Sequence, residues 1–269
     1  MKATPVSRAI VIPDLHAPLH DVPAFTCVLK AIDLVKPSIF VNLGDVGEFE
    51  GVSHWQWRKK KRPPLEYQIP FIERDNVAVN EALDQIDERL DKAKCKDRYY
   101  TQGNHCRWND HLVEEHPYLS QFSFVKAMKI KERGYKYYEM GEYLKIGKLY
   151  FYHGHHYGGV HHARNHLLRL GSNIMYGHWH DVQQAAVTHI EGPKQAWSIG
   201  CLKDMSRPSN EWLEGRKTNW GHAFAVVDWW DGGHFTVHVV NIINGRCSLW
   251  GQIVDGNKGV LSNNNRLIN

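Results

Sequence analysis

Five short apolar runs in this chain each close on a polar residue that binds metals well. That recurrence limits the fold more than any other feature. Ala9-Ile10-Val11-Ile12 runs into Asp14 and His16, and Ile39-Phe40-Val41-Asn42-Leu43 into Gly44-Asp45. The stretch around Tyr99-Tyr100-Thr101 runs into Gly103-Asn104-His105, and Leu149-Tyr150-Phe151-Tyr152 into His153-Gly154. The last, Ile174-Met175-Tyr176, runs into Gly177-His178-Trp179-His180. Each run has the length of a buried strand. In an open α/β sheet, ligands bind outside the carboxyl ends of the strands. Five such ends would gather Asp, Asn and His side chains in one crevice, a donor set suited to divalent ions of the Mn, Fe or Zn type.

Between the runs the chain alternates strand and helix. Residues 24–35 carry Phe25, Val28, Leu29, Ile32 and Val35 at helical spacing, with Pro37 just beyond. Residues 71–94 place Ile72, Val79, Leu83, Ile86 and Leu90 on one stripe of an otherwise charged helix. Residues 162–170 read as a further helix, stopped by Gly171. The alternation predicts an α/β fold with parallel crossovers. The last third is strand-like, with turns at Asp231-Gly232-Gly233 and Asn244-Gly245-Arg246. It is expected to form a second, mainly antiparallel sheet over 185–255, packed on the first within a single domain, 1–269.

Residues 51–70 stand apart. They hold Trp55 and Trp57, then Arg58-Lys59-Lys60-Lys61-Arg62 and Pro63-Pro64, and they follow the Asp45 turn directly. Interleaved aromatics and cations suit contact with phosphate or single-stranded nucleic acid; a solvated loop is the plainer alternative. The formal charge of +4 is too weak by itself to imply nucleic acid. The 5 cysteines are scattered, without C-x-x-C spacing, which fits a reducing cytoplasmic compartment better than a disulfide framework. No stretch approaches the roughly 20 apolar residues of a membrane span, so no membrane partner is expected. Oligomeric state is not legible.

Asp14 and His16, two residues apart, can reach one ion from the same side of an extended chain. With Asp45, Asn104, His153, His178 and His180 they exceed the four ligands that one zinc normally takes. Two ions sharing a bridging carboxylate about 3.5–4 Å apart accommodate them. Such a pair brings the pKa of a bound water toward ~7, and the hydroxide attacks phosphorus in line.

The ordered set Asp-Leu-His, Gly-Asp, Gly-Asn-His, His-Gly and Gly-His-Trp-His, spanning residues 14–180, resembles the calcineurin-like metallophosphoesterase superfamily. The resemblance implies a four-layer β-sandwich flanked by helices (α/β/β/α). It also implies a centre of two divalent metal ions, Mn foremost, with Fe, Zn or Ni as alternatives. One ion would take Asp14, His16, Asp45 and His180; the other would take Asp45, Asn104, His153 and His178. His105 would act on the scissile phosphate rather than ligate. Many relatives place an acid directly after this His, where this chain has Cys106. Glu48, three residues after the bridging Asp45, is therefore the expected orienting partner of His105. Arg107 is the expected phosphate clamp. His155, His156, His161 and His162 are expected to be exposed residues of a glycine-rich loop, not ligands.

The function expected on these grounds is hydrolysis of phosphate mono- or diesters, with a lean toward diester, DNA or RNA substrates from the basic aromatic segment. The alternative is a non-catalytic, metal-stabilised nucleic-acid-binding or scaffold protein on the same fold.

Overall fold

The computed structural model describes residues 6–53, 61–206 and 208–258. In chain order the first elements are β1 (Ser7–Ile12), α1 (Val22–Val35), β2 (Ile39–Asn42), α2 (Leu65–Lys92), β3 (Asp97–Thr101) and α3 (Asn104–Glu115). There follow α4 (Phe124–Ala127), β4 (Tyr135–Tyr138), β5 (Leu144–Ile146), β6 (Leu149–Phe151), α5 (His162–Leu170) and β7 (Ile174–Tyr176). The chain then runs through β8 (Val182–Val187), β9 (Lys194–Ile199), β10 (His222–Trp230), β11 (His234–Ile242), β12 (Arg246–Leu249) and β13 (Gln252–Asp255).

Two sheets result, in the orders β11-β10-β1-β2-β3-β4 and β5-β6-β7-β9-β8, beside a β12-β13 hairpin. In the first, β1, β2, β3 and β4 run parallel and β10 pairs antiparallel with β1. In the second, β6, β7 and β9 run parallel. Side-chain alternation divides β1 between two cores. Ala9 and Val11 meet Phe151, Met175 and Trp197 of the second sheet, while Ile10 and Ile12 meet Phe25, Val28 and Ile32 of α1. The outer face of the second sheet buries Ala163 and Leu167 of α5 against Tyr152, Ile174 and Tyr176. The layers are therefore helix, sheet, sheet, helix.

The strands of 185–255 do not form one sheet of their own, contrary to the sequence expectation. β8 and β9 complete a second sheet that already begins at β5, and β10 and β11 return to the first. The burial of β10 explains this. Ala223–Val227 are all buried, so the strand needs cover on both faces and partners on both edges. It finds the edges in β1 and β11.

α1 starts as its sequence dictates: the Asp21 carboxylate accepts the Ala24 N–H at 2.7 Å, and Pro23 stands in the first turn. α2 begins six residues before the expected 71 and runs through Pro70, forgoing the one bond that proline cannot donate. Residues 54–60, which carry most of the basic aromatic segment, lie outside the described residues. No helix among those described is long and apolar enough to cross a membrane.

Candidate metal centre

The parallel strands β1, β2 and β3 of one sheet, and β6 and β7 of the other, deliver the seven expected ligands from their carboxyl ends. Asp14, His16, Asp45 and His153 are all but inaccessible, and His180 is 8% exposed. Three groups of donor atoms converge: Asp14, His16 and His180; Asp45, His153 and His178; and His16, Asp45 and His105. Asn104 joins the second group, its Oδ1 lying 2.9 Å from His153 Nε2.

The glycines of the motifs have a steric purpose. A β-carbon on Gly103 would overlap Asp45 Oδ1, and one on Gly177 would overlap Asp14 Oδ1. Their absence lets main-chain N–H groups close on the carboxylates. His105 N–H donates to Asp45 Oδ1 at 2.9 Å, and His178 N–H to both Asp14 oxygens at 3.0 Å. Four of the expected ligand positions also sit in the left-handed region: His16 (φ 57°), Asp45 (44°), His178 (66°) and His180 (62°). Non-glycine residues held there cost roughly 1–3 kcal/mol each and cluster at functional sites.

The donor chemistry fits a cation. His153 Nδ1–H donates to Leu43 O at 2.9 Å, which leaves the Nε2 of a neutral ring as an acceptor. That nitrogen faces Asn104 Oδ1 at 2.9 Å, Asp45 Oδ2 at 3.1 Å and His178 Nδ1 at 3.1 Å. His16 Nε2 and His180 Nε2 face each other at 3.0 Å, with Asp14 Oδ2 3.2 Å from the latter. Lone pairs this close need a proton or a cation among them. Burial opposes charging of His153, but Asp45 and Asp14 outweigh burial and raise its pKa to about 9. Burial pushes His16 down to about 4 and His178 to about 3. Asp14 and Asp45 resist their own desolvation, chiefly through His153, and both lie below the usual carboxylate range.

Glu48 departs from its expected pairing. Its carbonyl oxygen, not its carboxylate, accepts His105 Nδ1–H at 2.7 Å. The carboxylate turns instead to His16 Nδ1 at 2.8 Å and to Lys203 Nζ at 2.6 Å. The missing acid at Cys106 is thus replaced by main chain. The Cys106 thiol is buried beside Tyr100 OH at 3.2 Å, and its pKa is raised by burial, so it is packing rather than nucleophile. Arg107 is taken up on its own helix, 2.5 Å from Glu114 and 3.9 Å from Asp110, so the expected phosphate clamp is already paired.

Lys203 escaped the sequence reading. It follows β9, which ends at Ile199 beside β7, and the apolar run Ala196–Ile199 was the signal available for it. His162 also differs from expectation. It is buried rather than exposed, with Nε2 2.7 Å from Asp181 and Nδ1 2.7 Å from Tyr176 OH.

No family model matches the chain, and no curated protein matches it. Solved structures do. Vps29 from Chaetomium thermophilum is 13% identical over 88% of this chain and 92% of its own, with a TM-score of 0.47. Yfce, a phosphoesterase from E. coli, is 14% identical over 86% and 98%, with a TM-score of 0.38. Likenesses this distant carry no argument about activity, which rests on the donor geometry.

Proposed function

We propose that this chain is a phosphoesterase of the calcineurin-like type, working with two divalent metal ions. One observation carries the reading: Asp45 belongs both to the donor group of His16 and to that of His153 and His178. Asp14, His16, Asp45 and His180 would hold one ion, and Asp45, Asn104, His153 and His178 the other. The mixed oxygen and imidazole set suits Mn, Fe, Zn or Ni. When bound, such a pair supplies Lewis acidity toward a phosphoryl oxygen and an activated water.

The protein's own groups do the rest. The main-chain N–H of His105 and that of His178 fix the two carboxylates. Leu43 O and the Glu48 carboxylate orient His153 and His16 through their far ring nitrogens, as second partners of ligating histidines do. His105 donates Nδ1–H to Glu48 O, which orients the ring; a second proton carried on Nε2 would be the one passed to the leaving oxygen, with the ring left neutral. The five cysteines stand free and buried, which supports a reducing, cytoplasmic setting.

The test is hydrolysis of bis-p-nitrophenyl phosphate and of p-nitrophenyl phosphate by manganese-loaded protein. Turnover that requires the metal supports the proposal. Metal uptake without turnover of either ester, under any divalent ion, would favour a scaffold.

A further inference from the structure

We infer that Trp220 and Trp212 form a stacking shelf beside the metal centre, and that it receives the base of a nucleotide-bearing phosphoester. The inference rests on the phosphoesterase reading and names the substrate class of that same site.

Trp220 is fixed against a candidate ligand from two directions. Its backbone forms a bridge with Asp181, and the next residue, Gly221, donates its N–H to His180 O at 2.8 Å. Its ring meets the His180 ring edge-on, with centroids 4.7 Å apart. Trp212 continues outward, its ring 6.1 Å from that of Trp220 and the residue 61% exposed. The turn Pro208–Leu213 that carries it is pinned from below. Asn210, buried, donates to Asp204 O at 2.7 Å and to Ser206 O at 2.9 Å, and the Ser209 hydroxyl donates to Asp204 Oδ2 at 2.6 Å.

Two other tryptophans near the site, among the described residues, are used differently. Trp108 is buried with its ring 4.0 Å from that of His105. Trp179 stacks on His162 and donates its indole N–H to Gly154 O at 3.0 Å. Those two brace the ligand loops. Trp212 braces nothing that burial requires, yet its turn is tied down by three hydrogen bonds. A large flat ring held in place and left in water, one ring away from the metal ligands, is a surface for a planar group. Arg216 and Lys217, exposed on the same connection, add the positive charge that a phosphate-bearing ligand meets. Indole faces stack any base, because every base has a π-face.

Two probes differing only in the base test this: the adenosine 5′-methylenephosphonate and the corresponding ribose phosphonate. The carbon–phosphorus bond of each resists hydrolysis, so binding is read without turnover. Calorimetry on manganese-loaded protein should show the adenosine probe binding about 10-fold or more tightly. Trp220→Ala and Trp212→Ala should each shrink that ratio several-fold, and Trp220→Phe should keep most of it. Trp212→Ala is the more decisive variant, because its ring supports no ligand. Equal affinities in the parent protein, a ratio unchanged in both alanine variants, or no binding of either probe would overturn the shelf. The two readings fail separately. An adenosine preference without ester turnover would defeat the hydrolase alone, and turnover without the preference would defeat the shelf alone.

Discussion

Lys203 holds its ammonium 2.6 Å from the Glu48 carboxylate while only 3% exposed. Burial raises the Glu48 pKa, but His16, His105 and Lys203 outweigh it and leave the group well below its ordinary value. Breaking a buried pair from one side leaves a charge without a partner, at a cost of about 3–5 kcal/mol. Lys203→Met should therefore destabilise the protein by that order, and adding Glu48→Gln should recover much of the loss. Urea unfolding of the single and double variants measures the coupling. A single-variant loss under about 1 kcal/mol, the worth of an exposed pair, would contradict it.

Gly103 and Gly177 should tolerate no β-carbon. Gly103→Ala presses on Asp45 Oδ1 and Gly177→Ala on Asp14 Oδ1. Gly103 has an ordinary φ of −93°, so the expected damage there is steric and local to the carboxylate. Manganese affinity should fall at least tenfold in each variant while most of the fold survives. Equilibrium dialysis with circular dichroism separates the two effects, and unchanged affinity would mean the close approach is unimportant.

Asp45→Asn and His105→Ala should fail in different ways. The first removes the charge common to two donor groups, so both ions should be lost along with turnover. The second removes a residue that touches Asp45 by main chain, a contact alanine retains. It should keep its metals and lose roughly 10²–10⁴ in rate, the span of a general acid. Elemental analysis and steady-state rates on both proteins check this; a His105→Ala rate within a few-fold of the parent would remove His105 from the chemistry.

The metal-free protein should be most stable near neutral pH. Burial lowers His16 and His166 to about 4 and His178 to about 3, against an ordinary 6.5. The unfolded chain takes those protons first, so stability is lost as pH falls from 6.5 through about 4. His153 runs the other way, against its own burial. Asp45 and Asp14 raise it to about 9, so its contribution is present below 6.5 and lost as pH rises through about 9. The lowered histidines, His155 among them, outnumber the one raised and make the acid limb the steeper. Urea midpoints between pH 4 and 9 should trace that asymmetric dome, and a flat profile below pH 6.5 would contradict it.

The strand ends were legible because each combines an apolar run with a polar stop, a local signal. The partners of those residues were not. Whether Glu48 offers its carboxylate or its carbonyl to His105 depends on the chain's direction after Asp45, whose positive φ no neighbouring residue announces. The place of β10 beside β1 pairs Ser7 with Trp229, a contact between distant parts of the chain that local pattern cannot carry. α3 was missed because its buried residues, Cys106, Trp108, Asn109 and Leu112, make a weak apolar stripe. Arg107 read as a clamp only because Glu114, two turns along the same face, was not yet known to share its helix.

The most direct test of the account is anomalous diffraction from crystals of the manganese-loaded protein. It predicts two peaks about 3.5–4 Å apart, with the Asp45 carboxylate between them, His16 and His180 on one side, and His153 and His178 on the other. A single peak away from Asp45, or no peak at saturating manganese, would contradict it.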